Sequence, residues 1–490
     1  MIPRVLPLMA GVLTGLSSLA CARPGAAPPD FSAVSRVTTG KPVAVMFTGY
    51  STTLRANGTD WTRLRLAVLD SLSREITSAT DSIRLYLTGD GAITSADGTA
   101  LPTLTDSVGT AYTPAVLVNG VSTLGLRMGT TPGRVKIEAR SGTLYPGGHE
   151  IHAIPADVRL LTPSADQLPP TTKPIPRMIG ADISWLPEIE NGAGRFAEGG
   201  RGLFEAGERV DGVELLKRHG FNAIRLRVFV NPENPKGYSP KLGYCGLDST
   251  LSMARRVRAA GMQLLLDFHY SDYWADPQQQ NKPLAWADLE YPALRDTVRS
   301  YTTAVLQALQ SQGTLPDMVQ IGNEINHGLL WPEGHIGNLD QLAGLLQAGV
   351  EGTGAVDPAI PVMMHIALGG QNDEARFWLD NMIARGVRFD ILGLSYYPRW
   401  HGTLEDLSVN LHDLIVRYRK PVNVVEYSEF KRPVHEIVFG LPDDMGKGAA
   451  IWEPFGWGSG VSDWKGNVTS RIAVYDSLAA EYLRPEERPR

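Results

Sequence analysis

The chain has 490 residues, of which 43% are hydrophobic and 20% charged, and its net charge is −6. That length exceeds one compact domain and calls for two or three. With no block of like charge there is no footprint for nucleic acid, whose phosphates demand clustered Lys and Arg, so no nucleic-acid partner is expected.

Residues 1–22 read as an export signal. Arg4 supplies the positive charge, and Val5 to Leu19 is mostly apolar with small residues at its end. Ala20-Cys21 reads as a lipobox that would leave a lipid on Cys21, while Ala20-Cys21-Ala22 also satisfies an A-x-A cleavage site. Ser18 fits a lipobox poorly, but the Pro/Gly/Ala-rich tether that follows, within 23–40, favours the lipid and with it attachment to a membrane. The protein is expected in the periplasm, on the cell surface or outside the cell. The other cysteine, Cys245, lacks a surrounding Cys-His-Asn pattern and is expected to be a packed thiol.

Residues 41–161 alternate with period two. Leu64, Leu66 and Val68 oppose Arg63, Arg65 and Ala67; Ile83, Leu85 and Leu87 oppose Arg84, Tyr86 and Thr88. Such alternation marks half-buried antiparallel strands, and turns such as Thr88-Gly-Asp-Gly91 separate them. A β-sandwich is expected. The run Gly133-Arg-Val-Lys-Ile-Glu-Ala-Arg-Ser-Gly142 resembles the closing strands of a bacterial immunoglobulin-like module. His149-Glu-Ile-His152 does not have the spacing of a metal site, because residues three apart on a strand point to opposite faces. Five prolines between Thr162 and Pro176 predict a stiff, extended spacer over 162–176.

From 177 to 486 the texture changes to short apolar strands alternating with amphipathic helices. Strands are predicted at 178–184, 222–230, 262–269, 317–323, 360–367, 389–397, 420–426 and 447–453. Leu264 to Leu266 and Val422 to Val425 are mostly apolar on both faces, as parallel strands under helices should be. Eight such units in roughly 300 residues predict an α/β fold, a (β/α)8 TIM barrel. A doubly wound sheet would want a phosphate-type Gly-rich first turn, which Gly192-Ala-Gly194 does not supply.

Barrel enzymes place their chemistry where the strands end. Here the ends carry Asp182; Arg225 and Arg227; Asp267 and His269, followed by Trp274; Asn323 and Glu324; His365; Tyr396 and Tyr397, followed by Trp400 and His401; Glu426; and Trp452 with Glu453. Polar ends on nearly every strand imply a cavity for something hydroxylated. Glycosidic cleavage needs two carboxyl groups, one protonated and one ionised, about 5–5.5 Å apart for retention and roughly 6.5–9.5 Å for inversion. Glu324 and Glu426, on strands across the barrel, are the candidates. Trp274, Trp331, Trp400 and Trp452 offer flat faces for sugar rings.

The runs Gly180-Ala-Asp-Ile-Ser184, Ile224-Arg-Leu-Arg-Val228, Asp267-Phe-His-Tyr-Ser-Asp-Tyr-Trp-Ala-Asp-Pro277, Gly322-Asn-Glu-Ile325, Leu330-Trp-Pro-Glu-Gly334, Gly393-Leu-Ser-Tyr-Tyr-Pro398 and Trp400-His-Gly-Thr-Leu404 together resemble glycoside hydrolase family 53. That family comprises endo-β-1,4-galactanases of the retaining clan A. The resemblance runs from about Met178 to Glu453. It implies Glu324 as acid/base, Glu426 as nucleophile, Asn323 on the sugar 2-hydroxyl, Arg225 supporting the nucleophile with Arg227 beside it, and Tyr396 hydrogen-bonded to the nucleophile. Trp452 would floor the subsite that His269 and Asp182 line, with Trp274 and His401 as further sugar contacts.

The chain departs from the family's usual Glu-Ile-Thr-Asn-Gly run at Asn326-His327 and from its usual Thr-Ala-Tyr-Pro after the nucleophile, having Tyr427-Ser-Glu-Phe430. Residues 191–208 enlarge the first loop, and the loop from Tyr427 to about Gly446 is short. No metal or other cofactor is expected, and the expected partner of a monomer is galactan or arabinogalactan. Two other readings are a clan A glycanase of different specificity and a non-catalytic glycan-binding lipoprotein.

Overall fold

The computed structural model describes residues 30–489, apart from 194–195, 197–201 and 457. The export signal and Cys21 lie outside the described residues. Residues 36–154 build two six-stranded sheets. The period-two pattern explains why they share a core: Leu64, Leu66 and Val68 from one sheet meet Ile83, Leu85, Val135 and Ile137 from the other. Ala67, on the supposed outer face, is nevertheless fully buried and clusters with Met46 and Leu69. The reason is a neighbour: strand Ala44–Gly49 packs on the short helix Pro398–His401 of the second domain.

That second domain is a closed parallel barrel of eight strands in sequence order. The strands are β1 (Met178–Asp182), β2 (Ala223–Val228), β3 (Gln263–Phe268), β4 (Met318–Ile321), β5 (Val362–Ile366), β6 (Ile391–Tyr396), β7 (Val422–Tyr427) and β8 (Gly446–Trp452). Inward side chains form layers. The lower layer is apolar and takes one residue from each strand: Met178, Ala223, Leu265, Met318, Met363, Ile391, Val425 and Ala450. Two residues on, the same inward face turns polar, with Arg225, Asp267, Gln320 and His365 all buried. The barrel is thus a dry plug below and a polar platform above, and period two separates the two layers on most strands; on β7 a register irregularity brings the adjacent Val425 and Glu426 into the lower and upper layers.

Three residues beyond the strands, Tyr270, Glu324 and Glu453, have positive φ of 50°, 48° and 41°. A left-handed conformation at a residue other than glycine is strained by about 1–2 kcal/mol. Here it turns the chain sharply at the strand end, and Glu324 and Glu453 both belong to the polar platform or its rim.

The two domains are joined by buried polar contacts. Glu374, near the start of the helix Asn372–Ala384, is fully buried and accepts from the Thr52 N–H at 2.8 Å, the Thr53 N–H at 3.0 Å and the Thr53 hydroxyl at 2.6 Å. The ring of His152 stacks on His327 with centroids 3.9 Å apart, and His152 Nδ1 lies 2.8 Å from His335 Nε2. The Gly337 N–H donates to His335 Nδ1, so His335 Nε2 carries the proton and His152 Nδ1 accepts it. Arg134 covers Trp331 at 4.8 Å. Trp331 is therefore taken by the domain contact and is not a platform for sugar.

The proline-rich segment 162–176 is no free spacer. Gln167 and Lys173 donate to the carbonyls of Ala384 and Ile360, Thr171 donates to that of Asp390, and Ile175 plugs the base of the barrel. Proline removes backbone donors, so side chains do the fastening. Truncating Glu374 would leave several buried donors unpaired, each costing about 1–3 kcal/mol. Glu374→Ala is expected to lower stability by about 3 kcal/mol in denaturant unfolding, with Glu374→Gln milder because its carbonyl still accepts.

Candidate active site

Arg225 is the hub of the polar platform. Its Nε donates to Gln320 at 3.1 Å; one terminal nitrogen donates to Asp182 at 2.7 Å and Glu426 at 2.9 Å; the other donates to Asp267 at 2.9 Å and Asn323 at 2.7 Å. All five guanidinium hydrogens are used. Arg227, on the same face two residues on, pairs with Glu453 at 2.6 Å and Asp182 at 3.3 Å and lies 4.4 Å from the centre of the Trp274 ring. Among the described residues its Nε and other terminal nitrogen have no hydrogen-bond partner, and the ring faces of Trp274 and Trp185 add to the stabilisation that its ion pairs give.

Two guanidinium groups thus face Asp182, Asp267, Glu426 and Glu453 out of water, and four buried carboxylates cannot all ionise cheaply against two cations. Burial pushes Glu453 well above the usual carboxylate range. Glu426 is 6% exposed, and burial raises it to about 7 against the pull of Arg225. Its other oxygen accepts from the Tyr397 hydroxyl at 3.3 Å. Glu324 goes well above its ordinary value, first through burial and then through the Glu426 charge. The guanidinium clamps Glu426 and not Glu324, so Glu426 is the group that ionises and Glu324 the one that keeps its proton.

A chain of hydrogen bonds runs behind Glu324. The Ser395 hydroxyl donates to Glu324 Oε1 at 2.6 Å, and His365 Nε2 lies 2.8 Å from Ser395 Oγ. At the far end, His365 Nδ1 is 3.0 Å from Asn323 Oδ1 and 3.4 Å from the Glu324 N–H. Burial, with the Arg225 charge, keeps His365 neutral and holding one proton. When Glu324 is ionised, His365 Nε2 donates to Ser395 and Ser395 to Glu324. The same chain stands when Glu324 is protonated on its other oxygen, because the Glu324 N–H donates to His365 Nδ1 and the ring proton stays on Nε2.

A cavity of about 450 Å³ opens above this layer. Of the residues expected at the site, Glu324, Glu426, Asn323, Trp274, His401 and Trp452 line it, as does Trp400. Arg225 and Arg227 lie beneath it, and so do Asp182 and His269, which were expected to line a subsite. The Asp182 oxygens are consumed by Arg225, Arg227 and Ser184. The two ring nitrogens of His269 serve the Ala275 N–H and Asp267. Both residues hold the platform and present nothing to a sugar.

Tyr396 is also corrected. It is fully buried among the outer-core residues, and its hydroxyl donates to the Gly402 carbonyl at 3.3 Å. Side chains alternate along β6, so Ser395 and Tyr397 point inward and Tyr396 points out. The tyrosine hydrogen-bonded to Glu426 is Tyr397. Cys245 is a packed thiol, pushed by burial to about 12 and so far from activated.

Sequence reasoning passed over Ser395, Gln320 and Gln280, whose amide donates to the Asn323 carbonyl at 2.9 Å. Gln320 stands four residues before Glu324 on the same strand end, a signal available from alternation, whereas Ser395 is adjacent to the expected Tyr396 and follows only once Tyr397 is known to face inward. It also missed Thr52, Gly148, His149 and Glu150, which line the cavity from the first domain.

Two carboxyl groups of unequal acidity, in one tryptophan-walled cavity at the C-terminal mouth of a parallel barrel, define a class: the barrel glycoside hydrolases. Within it, residues 178–433 match Glycosyl hydrolase family 53, and the chain belongs to that family. An uncharacterised protein of Niallia circulans is 38% identical over 328 residues, covering 59% of this chain and 86% of that one. Arabinogalactan endo-beta-1,4-galactanase A of Aspergillus niger is 34% identical over 310 residues, covering 56% and 84%. Among solved structures, the family 53 catalytic domain of Ignisphaera aggregans is similar at TM-score 0.56 and 30% identity, covering 64% of this chain and 99% of that one. A fungal β-1,4-galactanase is similar at TM-score 0.54 and 28% identity, covering 61% and 98%.

A reaction that draws on ionised Glu426 and protonated Glu324 should show kcat/KM rising with pH through an acid limb near 7 and falling as Glu324 loses its proton at higher pH. The Ser395 bond favours the ionised form of Glu324. Ser395→Ala should therefore move the basic limb to higher pH and leave the acid limb in place. Arg225→Lys keeps a charge but cannot make five bonds; kcat should fall about 100-fold, about 2.7 kcal/mol of barrel-mouth stabilisation, with the acid limb moved up.

Proposed function

We propose that the protein hydrolyses β-1,4-galactan, the type found in arabinogalactan side chains, by cutting within the chain and retaining the configuration of the anomeric carbon. The observation that carries this reading is the unequal treatment of the two carboxyl groups: Arg225 clamps Glu426, whereas Glu324 has only a hydroxyl. The galactanase names of relatives such as the Aspergillus niger enzyme support the choice of polysaccharide.

In the proposed reaction, Glu324 gives its proton to the glycosidic oxygen as Glu426 attacks the anomeric carbon. The C–O bond to the leaving chain breaks, and an ester forms between the sugar and Glu426. Glu324, now ionised, takes a proton from water, whose oxygen displaces Glu426 and restores both groups. The Asn323 amide has one nitrogen hydrogen engaged with the Ala275 carbonyl at 2.9 Å, leaving the other for a sugar hydroxyl. Trp452 and Trp274 present ring faces to the cavity. Both carboxylates and their clamp are in place, which favours catalysis over a purely glycan-binding role.

The chain is further proposed to be exported, with a lipid on Cys21. Cys21→Ser should move it from the membrane fraction to the soluble fraction.

Incubation with β-1,4-galactan should release oligosaccharides with a rapid fall in viscosity, and the first-formed products should be β-anomers by NMR. Release from mannan or glucan but not galactan would remove the substrate assignment and keep the mechanism. Glu426→Gln should reduce turnover at least about 1,000-fold on every substrate, equivalent to about 4 kcal/mol. Glu324→Ala should be equally damaging on galactan but far milder on a dinitrophenyl galactoside, whose leaving group needs no proton.

A further inference from the structure

The cavity is not built by the barrel alone. Thr52, Gly148, His149 and Glu150, all from the first domain, line it together with Glu324 and Glu426. These residues are fixed in place. Thr52 gives its N–H to buried Glu374 and lies with its hydroxyl 2.9 Å from His327 Nε2, while His327 Nδ1 lies 2.8 Å from the Pro277 carbonyl. A carbonyl only accepts, so the His327 proton is on Nδ1, and Nε2 accepts from Thr52. Burial keeps His327 neutral and able to do so. His327 is one of the two positions where the chain leaves its family's usual run after the acid/base, and its ring is given over to the first domain.

The first domain covers a particular half of the cavity. In the displacement, the nucleophile, the anomeric carbon and the leaving oxygen lie in sequence, and the leaving oxygen meets Glu324. The leaving chain therefore starts at Glu324. Of the cavity residues, His327, three residues after Glu324, is held against the first domain by Thr52. Trp274 and Trp452, joined ring to ring at 5.9 Å, wall the other half.

We propose that the first domain forms the wall of the leaving-group half of the substrate cleft and limits the length of leaving chain that the enzyme accepts. This rests on the glycoside-hydrolase reading above and adds a specificity determinant outside the barrel. The wall is chemically suited to sugar. Glu150 resists the upward push of desolvation, because His152, Lys136 and Arg134 hold it down to about 2, so it offers an ionised carboxylate to hydroxyl groups. Gly148 is exposed beside it and leaves space where any side chain would intrude.

Gly148 also provides the test. A Cβ there would meet only the Ile137 carbonyl oxygen at 3.9 Å, so a side chain can start from this position without displacing the strand backbone. In the full-length protein, Gly148→Trp should lower kcat/KM at least tenfold on β-1,4-galactotetraose and galactan. It should leave hydrolysis of a nitrophenyl galactobioside within twofold, because that small aglycone reaches little beyond Glu324. Val108→Trp, on an exposed turn of the same domain, should change neither. An equal loss on the nitrophenyl substrate would place the wall on the other half, and no loss on either would remove it from the cleft; both overturn the proposal. If the unsubstituted protein cleaves a different β-glycan and not galactan, the substrate reading alone fails. The same pair of variants, assayed on oligosaccharides and nitrophenyl glycosides of that glycan, then decides the wall.

Discussion

One buried guanidinium organises the mouth of this barrel. Arg225 on β2 reaches Asp182 on β1, Asp267 on β3, Gln320 and Asn323 on and after β4, and Glu426 on β7. A charge this deep is costly, and giving every hydrogen an acceptor offsets much of that cost. The same requirement positions the acceptors, so the geometry of Glu426, the Asn323 amide and the carboxylates of Asp182 and Asp267 follows from satisfying one side chain. The apolar layer below excludes water from beneath it, which strengthens each of these bonds and makes their loss expensive.

Glu324 stands outside that set, and its independence matters for the chemistry. Its nearest support is the neutral series Ser395, His365 and Asn323, which brings hydrogen bonds to it without a fixed charge. In the proposed reaction Glu324 gives and then takes a proton, a role better served by a neutral hydrogen-bond chain than by a fixed cation. The clamped carboxylate and the unclamped one thus obtain different acidities from neighbours of different kinds, inside a single cavity.

Much of the barrel was legible from periodicity. All eight strands were placed, because alternating apolar and polar inward residues and apolar outer faces are properties of consecutive positions. The strand-end acids were legible for a similar reason: a carboxylate closing an apolar strand is hard to explain by packing. The errors had local causes too. Tyr396 and Tyr397 are adjacent, and only the register of β6, with its irregularity between Leu394 and Ser395, decides which faces the axis. Asp182 and His269 were correctly placed near the mouth, but whether a polar group meets ligand or protein depends on which partners have already claimed it. Trp331 had the composition of a sugar platform and was covered by Arg134.

By itself, the sequence determined the order of elements, the two-domain division, the barrel and the two carboxyl groups that mark its mouth, since each is written in residues close together in the chain. Only the tertiary structure decided what the first domain does. Its contacts join positions hundreds of residues apart, as Thr52 to Glu374 and His152 to His335, and no local pattern encodes them. A strand whose polar face looks solvated in the sequence becomes one wall of a cavity when a second domain is packed against it. The burial that creates the wall is a property of the packed pair of surfaces, and neither surface carries it alone.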